Sequence, residues 1–179
     1  MNTLVLRNRQ RTRPVDGRRL RQLIRVLLED LLELPAFELG ISLVAGPEMT
    51  RLNETFLHHA GATDVIAFDY AEAARPGRLH GELFLCVDEA VAYARRYRTT
   101  WEAELVRYLV HGLLHLQGYD DRTAPQRRRM KRVEDRLVRT LARRFPLNEL
   151  ARPSIPTRQD AGLKGRDMTA QGKAQRRPG

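Results

Sequence analysis

The chain has 179 residues, 42% of them hydrophobic and 30% charged. That balance suits one soluble globular domain with a sizeable core and excludes a fibrous or wholly disordered chain. Thirty-two Lys and Arg outweigh 22 Asp and Glu, a formal charge of +10, which suits a polyanionic partner such as nucleic acid.

Taken in order, the start Met1-Asn2-Thr3-Leu4-Val5-Leu6-Arg7 lacks the basic patch and long apolar stretch of a secretory signal. Leu4-Val5-Leu6 reads instead as a short strand. A helix starts at Asp16 or Gly17 and carries Leu20, Leu23, Ile24, Leu27, Leu28, Leu31 and Leu32 at spacings of three and four, one apolar stripe that must pack on something. Pro35 breaks it. Glu38 to Val44 is a second strand, and Gly46-Pro47 turns into a helix over 48–56. Further strands are expected at Asp64 to Phe68 and Glu82 to Val87, joined by a polar stretch from Glu72 to Gly81, and a helix near 88–98 follows.

Cys86, the single cysteine, sits on the apolar Glu82 to Val87 strand and is most simply a small buried hydrophobe. With no second thiol to pair with, it points to a reducing, cytoplasmic setting. No run of about eighteen apolar residues is present to span a membrane.

Trp101 to Leu116 is the most apolar helix, with Leu105, Val106, Leu109, Val110, Leu113, Leu114 and Leu116 around most of its circumference, so it is expected to be buried. Glu102 and Glu104 in its first turn suit the helix dipole, and Trp101 sits at its start as core or rim. Gly118 terminates it. Pro125 opens a last helix with Met130, Val133, Leu137, Val138 and Leu141 inward and Arg127, Arg128, Arg129, Lys131, Arg132 and Arg136 on its other face. Those arginines suit either an RNA backbone or an ordinary solvated helix face. Residues 151–179 hold seven Lys/Arg and two Asp without apolar periodicity and read as a disordered basic tail, against a domain over 1–150. The expected fold class is α/β (α+β): a small, mostly four-stranded sheet packed with helices.

The chemistry lies in Val110-His111-Gly112-Leu113-Leu114-His115-Leu116-Gln117-Gly118-Tyr119-Asp120-Asp121. Residues four apart share a helix face, so His111 and His115 can aim both imidazoles at one centre. Gly118 lets the chain turn back and deliver a third ligand, for which Asp120 and Asp121 are both available. Three protein ligands with an open fourth position is the pattern of a catalytic metal site, and unpaired imidazoles on so apolar a helix would be costly. A metallopeptidase helix of this kind carries a glutamate directly after its first histidine; Gly112 stands there, which argues against peptide hydrolysis. His80, just before a strand, reads as an ordinary loop residue.

This segment resembles the signature of the YbeY family of bacterial endoribonucleases, His-Gly-x-Leu-His-Leu-x-Gly-Tyr-Asp-His, at every fixed position from His111 to Asp120. Leu52-Asn53, Thr63-Asp64-Val65, Phe68, Met130 and Glu134 fit the family as well, and the resemblance covers roughly residues 1–145. It implies a zinc cofactor and a metal helix against a small sheet. It also implies single-strand-directed cleavage of ribosomal RNA in 16S 3′-end maturation and ribosome quality control, with the small ribosomal subunit as partner. The family's third histidine is Asp121 here. Two histidines and one carboxylate also suit Fe2+ or Mn2+. His111, His115 and Asp121 are thus the expected ligands and catalytic residues, with Asp120 as an orienting neighbour. A family arginine expected at substrate phosphate falls at Leu57; His58 and His59 follow it and can donate to phosphate, or are plain loop residues. These two departures keep open the alternative of a ribosome-associated RNA-binding factor with a structural metal.

Overall fold

A computed structural model of the chain describes residues 2–71 and 77–151. Its four strands are β1 (Thr3–Asn8), β2 (Ala36–Val44), β3 (Val65–Asp69) and β4 (Arg78–Cys86). They form one mixed sheet in the order β1-β2-β4-β3, with β1 and β4 parallel to β2 and β3 antiparallel to β4. The helices are α1 (Gly17–Arg25), α2 (Gly46–Leu52), α3 (Val87–Tyr97), α4 (Trp101–Leu116) and α5 (Ala124–Arg144). The architecture is the expected α+β one. The expected tail falls on residues 152–179, outside those described.

Strand alternation decides which sheet face is buried. Phe37, Leu39, Ile41 and Leu43 of β2 and Leu79, Leu83 and Leu85 of β4 enter the main core, while Glu38, Gly40, His80 and Glu82 point the other way. β4 begins at Arg78, earlier than Glu82, because Arg78 to Gly81 pair with Ala36 to Leu39. His80 is therefore a strand residue, packed edge-on to Tyr70 at 5.5 Å. On the second face, Val44, Met49, Ile66, Phe84 and Cys86 form a smaller cluster under α2. Each such fully buried side chain contributes about 1.5–3 kcal/mol of transfer free energy.

Asp16 caps α1 by accepting from the backbone N–H groups of Arg18 and Arg19, both at 3.0 Å. The helix then widens through Val26–Leu31, where the N–H of Leu32 reaches the carbonyl of Leu27, before Pro35 and β2. α2 widens likewise through Asn53–Leu57, a change of pitch that the 3.6-residue period does not announce.

α4 is the central helix, capped by Thr100 and buried against the sheet, α3 and α5. Two glycines set how closely it lies. A β-carbon on Gly112 would meet Leu83 Cδ2 at 2.9 Å and Val65 Cγ2 at 3.0 Å, and one on Gly81 would meet the Phe68 carbonyl oxygen at 2.7 Å and Leu116 Cδ1 at 2.9 Å. The absence of side chains at these positions lets α4 rest directly on β3 and β4.

Candidate metal centre

His111 and His115 lie one turn apart on α4, with ring centroids 4.7 Å apart and planes at 77°. Their Nε2 atoms face each other at 3.0 Å. Beyond α4, Gly118 takes φ +86°, and the Tyr119 N–H returns to the Leu114 carbonyl at 3.0 Å, so the chain folds back over the end of the helix. The turn brings Asp121 Oδ2 to 3.9 Å from His111 Nε2 and 3.8 Å from His115 Nε2. His111, His115 and Asp121 thus offer three ligand atoms within 4.8 Å of one another, on side chains 26%, 32% and 44% exposed. The cluster is half-open to solvent.

Each outer imidazole nitrogen has a partner that fixes its role. His115 Nδ1 lies 3.1 Å from the Tyr119 carbonyl oxygen, which can only accept, so Nδ1 carries the proton and Nε2 presents a lone pair. His111 Nδ1 lies 2.8 Å from Glu134 Oε2. Glu134 is buried on α5, and its other oxygen accepts from Arg107 Nη1 at 2.7 Å. The hydrogen bond with Glu134 holds the His111 pKa above its ordinary value, against burial, which pulls it down. Burial pushes the Glu134 carboxyl up, but the hydrogen bonds from His111 and Arg107 outweigh it and hold its pKa below the ordinary carboxylate value.

This donor set fits a divalent cation. Two Nε2 atoms turned toward each other repel unless a proton or a metal lies between them, and Asp121 adds an anionic oxygen on the same side. Metal–ligand bonds of about 2.0–2.2 Å correspond to tetrahedral edges of about 3.3–3.6 Å. The 3.0–3.9 Å separations bracket those edges. Two imidazoles and one carboxylate suit zinc, iron(II) or manganese(II).

The other residues singled out from the sequence lie differently. Asp120 does not touch either imidazole: its Oδ1 accepts from the backbone N–H groups of Asp121 at 2.8 Å and Arg122 at 3.3 Å. It holds the backbone of the loop that carries Asp121. His58 and His59 are exposed after the Asn53–Leu57 turns, and their side chains make no hydrogen bond to the cluster among the described residues. Leu57 is exposed too.

Arg107 and the placement of Glu134 beside His111 escaped the sequence reading. Glu134 carried a signal, since it falls on the buried stripe of α5 with Met130, Leu137, Val138 and Leu141, where a lone carboxylate demands a partner. Arg107 sits four residues before His111, on the same face of α4.

An α+β protein with two imidazoles on a buried helix and a carboxylate on the loop behind it has the donor set that could hold a metal ion through three ligands. The family model described as Endoribonuclease YbeY matches residues 5–142, and the chain belongs to that family. Similar proteins named Endoribonuclease YbeY come from Chlorobium luteolum, 41% identical over 52% of this chain and 66% of that protein, and from Nocardioides sp., 36% identical over 70% and 89%. One from Myxococcus xanthus is 39% identical over 60% of this chain and 37% of its own length. The chain thus spans 66%, 63% and 37% of the first three curated relatives it matches. The solution structure of TM1509 from Thermotoga maritima shares the fold, with a TM-score of 0.60 and 23% identity over 87% of this chain and 99% of that one.

Proposed function

We propose that the chain is a metal-dependent endoribonuclease that holds one divalent ion, zinc first among the candidates, between His111, His115 and Asp121. The observation that carries this reading is the pair of facing Nε2 atoms, oriented from behind by Glu134 and the Tyr119 carbonyl, with Asp121 at 3.8–3.9 Å. A divalent ion held there supplies Lewis-acid polarisation of a phosphodiester. The half-exposed donors leave one side open for substrate, as a catalytic rather than a structural site requires. Gly112 places no carboxylate beside the first ligand, and the close contact of α4 with Leu83 and Val65 leaves no room for one. His111, His115 and Asp121 bind, while Asp120 holds the Asp121 loop in register.

Membership of the endoribonuclease family supports RNA as the substrate. On that basis the chain acts in the cytoplasm on ribosomal RNA of the small subunit, in 16S 3′-end maturation and ribosome quality control. No helix among the described residues is long and apolar enough to cross a membrane. His58 and His59 take the place of the family's phosphate-binding arginine, which Leu57 replaces.

A second reading, an RNA-binding assembly factor with a structural metal, draws on the exposed apolar Leu57 at that position. The discriminating experiment measures metal content and ribosomal RNA cleavage for wild type and His115→Ala. Cleavage that requires metal and vanishes with His115 supports the nuclease. Full metal loading without cleavage by the wild type supports the binding factor.

A further inference from the structure

Six arginines of α5, Arg128, Arg129, Arg132, Arg136, Arg139 and Arg143, are exposed. At 3.6 residues per turn they fall within about 100° of the helix circumference, nearly opposite the buried stripe of Met130, Glu134, Leu137 and Leu141. Solvated helix faces ordinarily mix signs, so that neighbouring charges compensate. Here compensation is missing. The two carboxylates of α5 are both engaged elsewhere, Glu134 with His111 and Arg107, and Asp135 with Arg107 and Lys131. Among the described residues, none of the six guanidiniums has a hydrogen bond or ion pair; Arg129 alone has a partner, the Tyr119 ring, 5.4 Å from its Cζ.

The strip also has a direction. Arg129 lines a depression of about 200 Å³ with Tyr119 and Asp120, in the loop that carries Asp121. It equally lines a depression of about 630 Å³ with Arg132, Val133, Asp135, Arg136 and Arg139, whose one carboxylate, Asp135, is held by Arg107 and Lys131. One guanidinium therefore joins the loop of the metal site to a cationic trough. From Arg129 to Arg143 the strip of arginines follows the helix for about 21 Å at 1.5 Å per residue, and the trough lies within it. Arginine rather than lysine fills every one of the six positions, and its planar fork suits phosphate oxygens taken two at a time.

We infer that the outer face of α5 is a docking track for the sugar-phosphate backbone of an RNA strand, leading to the metal loop at Arg129. The inference rests on the reading of the site as an RNA-cleaving one and names the surface that binds substrate away from the reacting bond. Uncompensated cations next to the site add to the hold that the proposed metal, His58 and His59 would give a polyanion. With them, several phosphates are neutralised at once and counterions are released.

The test is equilibrium binding of a fluorescent 20-nucleotide single-stranded RNA to the full chain across a salt series. Wild type is compared with the triple variant Arg132→Gln, Arg136→Gln, Arg139→Gln and with the same three positions changed to Lys. Each single-strand phosphate contact contributes about 0.7 to the slope of log affinity against log salt. The Gln triple is expected to shallow the slope by about 2, while the Lys triple keeps the slope and loses part of the affinity. Residues 152–179 are common to all variants, so their contribution cancels in the comparison.

Metal content and helical circular dichroism establish that each variant is folded. If the triple fails that check, Arg136→Gln alone is expected to shallow the slope by about 0.7. An unchanged slope in a folded variant overturns the proposal. So does displacement of the RNA by poly-glutamate at equal charge concentration, which would mark the strip as a surface for acidic protein. Binding is repeated with His115→Ala, which lacks the metal site but retains the strip. RNA binding that persists there, with the same dependence on the three arginines, separates the track from the nuclease reading, so either can fail alone.

Discussion

His115 donates its Nδ1 proton to the Tyr119 carbonyl, and its remaining nitrogen points at His111. In the proposed site, loss of either imidazole removes a ligand that no other described residue replaces. His111→Ala or His115→Ala is expected to lose bound metal and to lower the melting temperature, because a metal bound only by the folded chain adds to its stability. A full equivalent of metal in the purified His115 variant would refute the assignment. Asp121 sharpens the test. Asp121→Ala should lose affinity, whereas Asp121→His should retain it with the site one charge more positive. Asp120→Ala frees the backbone N–H groups of Asp121 and Arg122 without removing a ligand, so metal should stay but bind about 10–100-fold more weakly. If Asp120→Ala empties the site while Asp121→Ala leaves it full, the wrong aspartate has been assigned.

Between elements, α4 and α5 meet through Arg107, His111 and Glu134, and this junction makes the metal-free fold pH-sensitive. His111 has its pKa raised above 6.5, so its contribution is complete below 6.5 and is lost as pH rises through the folded value. Glu134 has its pKa lowered below 4.5, so its contribution is complete above 4.5 and is lost as pH falls through the folded value. Chelated protein should therefore be best held between those two ordinary values and lose melting temperature as the solution becomes alkaline. Glu134→Gln should flatten that alkaline limb and weaken metal binding about 10–100-fold, since Gln lacks the charge that orients His111. An alkaline limb of equal steepness in the variant would remove Glu134 from this role. The contact of α4 with the sheet is a matter of shape. Gly81→Ala presses a methyl group on both the Phe68 carbonyl and Leu116 and should destabilise by about 1–3 kcal/mol, read as a lower melting temperature.

Local periodicity made most of these elements legible. The apolar stripe of α1, the all-round apolarity of α4 and the His111–His115 spacing are one-dimensional patterns with a direct physical meaning. The glycine that turns the chain toward Asp121 is equally local. The Glu134–His111 contact spans 23 residues and depends on how two helices pack, which no spacing encodes. The early start of β4 was hidden because His80 and Gly81 look like turn residues, until pairing with β2 supplies their partners. The wider turns at Val26–Leu31 and Asn53–Leu57 leave no mark in the apolar spacing of the sequence.

At the scale of the whole molecule, the charge of +10 divides into two parts that act differently. Residues 151–179 carry a net +5 from seven Lys/Arg and two Asp, and residues 1–150 carry the rest. On the proposed reading both attract RNA, but only the second includes the proposed metal ligands and the α5 arginines. Removing residues 152–179 should shallow the salt dependence of RNA binding, because cations are lost, and leave metal content and melting temperature unchanged. The dependence that survives the deletion is the domain's own and should fall by a further slope of about 2 when Arg132, Arg136 and Arg139 are also changed to Gln. Titrations of the full chain, the shortened chain and the shortened triple variant over one salt series separate the two contributions. If the shortened chain binds RNA with no salt dependence at all, the domain makes no backbone contacts, and the salt-dependent part of the affinity belongs to the C-terminal residues.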